Sequence, residues 1–316
     1  MDDTQRVSKA GPGKAYRSGV SLIQLTKLFP DEESAERWFE AQRWPDGMVC
    51  PKCDSTNIAA CKDKKPQPYR CRTCRKHFSV RTGTVLARSH IPLQKWVFAL
   101  YLYVTNLKGV SSMRLHRDLD ITQKSAWFMA HRIRKALKGR ASLFAGPVEV
   151  DETYMGGKEK NKHTSKKLKA GRGPVSKTAV IGMKDRDTKQ VNAEVIPQTD
   201  QPTLQGFVHD HIEPGATIYT DDHPGYVGLS NHESVKHSVK EYVRDQAHTQ
   251  GIESFWSMLK RGYIGTYHKM SEKHLQRYVD EFSGRQNIRE AGTMDQMAHV
   301  AVGCVGRRLL CQELVG

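Results

Sequence analysis

Long apolar runs are missing from this 316-residue chain. No stretch approaches the ~20 consecutive apolar residues that a membrane-spanning helix needs. No secretion signal precedes residue 20 either, so a cytoplasmic protein is expected. Cysteine is too sparse for a disulfide scaffold: there are seven, an odd number. Acidic residues are scarce in one region only. Residues 1–50 carry a net charge of −1, residues 51–150 carry +15 and residues 151–316 carry +2, which makes the total of +16. A block this localised reads as an electrostatic footprint for a polyanion, although charge alone does not separate DNA from RNA or an acidic membrane. At 38% hydrophobic, the chain has enough apolar residues for two or three globular domains.

Four of the cysteines form a pattern. Cys50-Pro-Lys-Cys53 and Cys71-Arg-Thr-Cys74 stand 17 residues apart. A two-residue spacer lets one tight turn aim two thiolates at one ion, and two such knuckles make the tetrahedral sulfur site that zinc prefers. Four thiolates leave no open position, so this zinc is structural. Tyr69–Cys71 and His77–Val80 are expected as short strands of a zinc ribbon. Its surface carries Lys52, Arg70, Arg72, Arg75 and Lys76, which suit phosphate contact. Cys61 is read as a bystander, and Cys304 and Cys311 as small packing hydrophobes.

Helical patterns follow. Leu93–Val104 is one helix, residues 110–119 lead to a turn at Asp120–Ile121, and another helix starts after a Thr122 N-cap. Ala126, Met129, Ile133 and Leu137 mark its inner face, and Lys124, His131, Lys135 and Lys138 fall together on another. Two helices around a tight turn resemble a helix-turn-helix, with an ordinary helical hairpin as the alternative.

After residue 146 the pattern changes to strands. Residues 147–154 end in acids, Lys177–Met183 and Gln190–Ile196 follow, Gln201–His211 is helical, and Ala216–Thr220 runs into Asp221-Asp222-His223. A helix from Gly251 to Lys260 comes late. Three antiparallel-type strands, a helix, a strand and a late helix is the order of an α/β, RNase H-like (retroviral-integrase-type) fold, in which the first and fourth strands are neighbours. That adjacency would bring Asp151 and Asp221 together, with Glu253 added from the helix. Two Mg²⁺ or Mn²⁺ ions activate an attacking oxygen and stabilise a leaving one in phosphodiester chemistry, and such hard ions take carboxylates. Glu152, Asp222, Glu241 and Glu281 are rival acids, Glu281 being expected as structural or solvated. On the late helix Glu253, Trp256 or Ser257, and Lys260 recur at steps of three and four. Eight basic residues between 158 and 177, Lys166 and Lys167 among them, suggest a DNA-gripping loop, with a solvated loop as the alternative.

Taken together, the motifs resemble the zinc-ribbon DDE insertion-sequence transposases, the group called insertion sequence fifteen-ninety-five, related to the Merlin transposases. The resemblance runs through Arg43–Cys53, Tyr69–Ser79, Thr82–Val85, Val150-Asp-Glu-Thr-Tyr-Met-Gly-Gly157, Tyr219-Thr-Asp-Asp222 with Tyr226, His248–Gly262, and Arg277–Phe282 with Arg285 and Asn287. It implies that Asp151, Asp221 and Glu253 are the catalytic metal-binding acids. Family members commonly carry Asn where this chain has Gln250, so Gln250 and His248 stand as auxiliary candidates. DNA-contact candidates are Arg75, Lys76, Lys124, His131, Lys135, Lys166, Lys167, Trp256, Lys260 and Arg261.

The expected domains are a lead-in with a short helix (1–45), the ribbon (46–85), a helix-turn-helix-like domain (90–140), the RNase H-like domain (146–290) and a tail (291–316). The expected partners are duplex DNA, as element ends and target, and a second copy of the chain. The expected activity is strand cleavage at terminal inverted repeats and strand transfer. A DNA-binding regulator without chemistry and a structure-specific nuclease are the competing functions.

Overall fold

The computed structural model describes residues 18–139, 143–157, 159, 163–168, 175, 177–235 and 249–316. The chain forms two compact units, residues 1–137 with 288–316 and residues 138–287.

The first unit begins with α1 (Leu22–Leu28) and α2 (Glu32–Arg43). Each has a reciprocal cap. Ser21 and Gln24 exchange bonds at α1, and Asp31 and Ser34 at α2, which satisfies orphan amides of the first turn. Leu25 and Phe29 are buried, so part of the expected lead-in is an anchored helix. The ribbon follows as an antiparallel sheet of β1 (Ile58–Ala60), β2 (Tyr69–Cys71) and β3 (His77–Phe78). Phe78 is its small core, with the Trp44 ring edge-on at 6.1 Å.

Three helices come next: α3 (Leu93–Thr105), α4 (Ser112–Leu119) and α5 (Gln123–Leu137). Asp120 takes a left-handed conformation between α4 and α5, and the Thr122 hydroxyl accepts the Ser125 amide at 3.2 Å, as the N-cap expectation required. The inner-face residues Ala126, Met129, Ile133 and Leu137 are all buried.

The second unit is one five-stranded sheet covered by helices on both faces. Its strands are β4 (Val148–Met155), β5 (Thr178–Asp185), β6 (Val191–Ile196), β7 (Ile218–Asp221) and β8 (His232–Val235), in the order β6-β5-β4-β7-β8. The first three pair antiparallel, whereas β4–β7 and β7–β8 pair parallel. Helix α6 (Gln201–His211) places Leu204, Phe207 and Val208 on the face with Val148, Val150 and Ile181. Helices α7 (Gln250–Gly262) and α8 (Glu272–Asn287) cover the other face, where Ile252, Trp256 and Val279 meet Val180 and Val191. Asn287 on α8 accepts from the Val191 amide at 2.7 Å and donates to its carbonyl at 2.9 Å, so the exposed edge of β6 is occupied. Glu281 is fully buried and accepts from Tyr267 at 2.8 Å, a structural acid as expected.

The chain then returns to the first unit. Residues 291–316 were expected as a tail but hold α9 (Thr293–Gly303) and α10 (Gln312–Val315). Met297, Val300, Ala301 and Cys304 recur at helical spacing and join the core of Leu100 and Ile133. Such a stripe has nothing local to pack against, and it is covered by segments about 160–270 residues earlier in the chain. Cys304 packs as expected, but Cys311 is exposed. At the end of α9 a Cβ on Gly303 would lie 2.3 Å from the Ala136 carbonyl oxygen. Gly303→Ala should therefore lower stability by about 1–3 kcal/mol, the usual cost of overpacking. A denaturation midpoint equal to that of the parent would contradict this packing.

Candidate functional site

The four knuckle cysteines converge as the spacing required. Their sulfurs all lie within 4.8 Å of one another, with Cys50–Cys74 and Cys53–Cys71 both at 3.7 Å. A tetrahedral zinc with ~2.3 Å bonds sets its sulfurs about 3.8 Å apart, so the geometry fits the ion. Each knuckle is followed by a left-handed residue, Asp54 or Arg75, that turns the chain back. The Cys74 amide donates to the Cys71 sulfur at 3.5 Å and lowers the pKa of that thiol, toward the thiolate a metal needs. Cys61 stands outside this set.

The acids gather in the second unit. Strand register aligns Val148 with Ile218 and Glu149 with Tyr219. Two residues further along each parallel strand stand Asp151 and Asp221, at the same level and on the same face as the pair behind them. Glu253 sits in the first turn of α7, where Thr249 donates to its carboxylate at 3.1 Å. Burial pushes Asp151 up to about 7, and Glu152, Asp221 and Glu253 push it in the same direction. Among the described residues only the four cysteines bring three or more ligand atoms within 4.8 Å. No three of the acids meet that distance together, but Asp151 lies near enough to the others to feel their charge. Oxygen donors converging from three elements, one of them resisting ionisation, suit a hard divalent cation.

Glu152, a rival acid, is held differently. Tyr226 donates to it at 2.8 Å and His223 Nε2 lies 3.9 Å away, while the His223 amide binds Asp221 at 3.1 Å. Burial raises Glu152 as well, with Asp221 adding to the effect.

Two positions that sequence inspection passed over fix α7. Glu149, 2% exposed, accepts from the Ile252 amide at 2.9 Å and from Arg186 at 3.0 Å. It thereby caps the helix whose own N-cap residue, Thr249, makes no side-chain cap bond. A Cβ on Gly251 would lie 2.6 Å from the Glu149 carboxylate, so glycine permits the approach. Gly182, paired with Asp151 across β4–β5, is the floor for Trp256: a Cβ there would lie 2.6 Å from the indole. A lone glycine in an apolar strand was the available signal for this contact. For Glu149 the signal was its alternation with Asp151 along one strand.

Both sites fall inside segments with known relatives. Residues 30–77 match the transposase zinc-ribbon domain, and residues 143–287 match the ISXO2-like transposase domain. The chain belongs to the zinc-ribbon DDE insertion-sequence transposases. It is 27% identical over 276 residues to an uncharacterized protein in transposable element ISH50 of Halobacterium salinarum, covering 83% of this chain and 93% of that one. It is also 25% identical over 105 residues to an uncharacterized transposase-like protein of Haemophilus influenzae, covering 32% of this chain and 84% of that one.

In this transposase the residues expected at DNA divide by exposure. Arg75, Lys76, Lys124, Lys260 and Arg261 are exposed, and so is Gln250. Trp256 is 3% exposed and is corrected to a core residue: Ile252, Phe255, Trp256 and Leu259 form the buried stripe of α7, leaving Glu253, Ser257 and Lys260 outward. His131 is fully buried and edge-on to Trp127, because α5 is enclosed on most sides in its second half. Lys135 is half-buried, donates to the Arg308 carbonyl and lies 3.7 Å from Glu313. Lys167 is half-buried. His248 and the Lys166 side chain lie outside the described residues, as do Lys158, Lys160 and Lys162 of the basic run.

Two measurements follow. Cys71→Ser should lose the zinc from purified protein and destabilise the first unit by several kcal/mol, since metal affinity is folding energy here. Retention of one zinc per chain would refute the assignment. Asp151 has a folded value raised from 3.8 to about 7, so its charge opposes folding. The cost is absent below pH about 4, grows from there to about 7 and is complete above that. Without added divalent metal, Asp151→Asn should be the more stable protein at pH 8, by on the order of a few kcal/mol, and equal to the parent at pH 4. Equal melting temperatures at both pH values would contradict the burial of this carboxyl.

Proposed function

We propose that this transposase binds duplex DNA at the terminal repeats of its element, cleaves a strand at each end and joins the resulting 3′-hydroxyl to target DNA. The observation that carries the proposal is the level placement of Asp151 and Asp221 on adjacent parallel strands, with the Glu253 helix clamped to the strand that bears Asp151. The sheet order β6-β5-β4-β7-β8, antiparallel then parallel, supports an RNase H-like domain.

Asp151, Asp221 and Glu253 would hold two divalent ions, Mg²⁺ or Mn²⁺, which supply a Lewis acid for the leaving oxygen and an activated attacking oxygen. The chain's own contribution is positional. The sheet fixes two carboxylates rigidly, and α7 brings the third with Lys260 two turns along its outward face, where a phosphate can be met. Both displacements are in-line attacks at phosphorus, so one set of acids serves both. Gln250, three residues before Glu253, faces the same side as an auxiliary polar group. The exposed basic residues of the ribbon and Lys124 would grip the element end. Cleavage at two ends requires two such sites, hence at least two copies on DNA. No described helix is long and apolar enough to cross a membrane.

The test is strand cleavage and joining on donor DNA bearing the element ends. Asp151→Ala, Asp221→Ala and Glu253→Ala should each lower the rate roughly a thousand-fold or more while DNA binding persists. Near-parental joining by any of the three would remove that residue from the site.

A further inference from the structure

A cavity of about 200 Å³ opens in the first unit beside α5, lined by none of the zinc ligands, and the acids belong to the other unit. Three arginines line it, Arg88, Arg132 and Arg308, together with Phe128 and Thr84, and no acid does. Arg132 is only 6% exposed. Its guanidinium stacks on Phe128 at 4.1 Å, and Nη2 donates to the Ala87 carbonyl at 3.1 Å. A guanidinium has five N–H donors. Nε is buried with no hydrogen-bond partner, and no carboxylate among the described residues pairs with Arg132. Burial pulls this group down to about 10, and Arg81 adds to that, yet it stays a cation at neutral pH. The nearest acid on the C-terminal segment, Glu313, is engaged by Lys135 and by the Leu310 amide. Arg88 and Arg308 are exposed and have no acidic partner among the described residues. A buried, uncompensated cation is unfavourable unless an anion completes it.

We propose that this cavity seats a phosphodiester group of duplex DNA, with Arg132 at its floor and Arg88 and Arg308 at its mouth. The assignment rests on the DNA-binding function proposed above. Its placement favours a DNA strand over a free anion. Lys124, Phe128 and Arg132 recur every four residues along α5, and Lys124 is exposed at the start of that helix. The two basic ends of this row are about 12 Å apart, a span over which one DNA strand presents more than one phosphate. A backbone meeting Lys124 at the outer end of α5 therefore reaches the cavity without leaving the helix. Arginine matches phosphate in a bidentate fork, which lysine does not.

The test uses the full chain with its zinc and a labelled duplex of arbitrary sequence, titrated between about 50 and 200 mM salt. Arg88→Gln and Arg308→Gln change exposed side chains and leave the core intact. Each should lower the slope of log affinity against log salt by about 0.9, the loss of one phosphate contact. Arg132→Gln, checked for a native melting transition, should do the same. Inorganic phosphate without DNA is the second arm. If phosphate raises the melting temperature of the parent but the three slopes stay parental, the cavity takes a soluble anion and the DNA assignment is overturned. If slopes stay parental and phosphate has no effect, the cavity is not an anion site, while the DNA-binding function stands. If the parent itself fails to bind duplex, the proposed function fails and takes this assignment with it.

Discussion

The catalytic-domain geometry depends on a buried carboxylate, Glu149, held between a guanidinium and a helix amide. It lies on β4 two residues before Asp151, and it receives Arg186 from one side and the Ile252 amide of α7 from the other. Arg186 is itself stacked on Tyr219 of β7, 3.9 Å from the ring centroid. One side chain thus links the strand of the first acid, the strand of the second and the helix of the third. The ion pair is almost dry, so removing either partner would strand a buried charge, a loss of about 3–5 kcal/mol. Glycine at 251 and at 182 makes the close approach possible, since a methyl group at either place would collide with Glu149 or Trp256.

This clamp explains how a site assembled from charges that repel can exist at all. Glu152, Asp221 and Glu253 raise the cost of ionising Asp151, and Asp221 raises that of Glu152. The surrounding sheet and the apolar face of α7 hold them together regardless, through Ile252, Phe255 and Leu259. The ribbon obeys a parallel logic with softer donors: a core of little more than Phe78 and two cysteines needs four sulfurs on one ion to be worth folding.

Much of this was legible in advance because the signals were local. Cys-x-x-Cys twice and a threonine cap before α5 each act within a few residues. The strand and helix order of the second unit, and the adjacency of its first and fourth strands, followed from alternation and motif order. What failed was decided at a distance. Trp256 and His131 sit on helix faces that periodicity alone leaves ambiguous, and both are covered by other elements. Residues 291–316 carry an apolar stripe too short to announce its partner, yet α9 completes the core begun by α2, α3 and α5.

The sequence by itself determined which four sulfurs can share one zinc and where the positive charge is concentrated. Residue type and spacing decide those matters, because ligand preference and net charge do not depend on distant contacts. Only the tertiary structure decided which charges are exposed and which are enclosed. It put Glu149 under α7, turned Trp256 inward onto Gly182, and left Arg132 beside a cavity whose lining holds no acid. Burial is a property of what packs against a side chain, and the packing partners here lie tens to almost two hundred residues away.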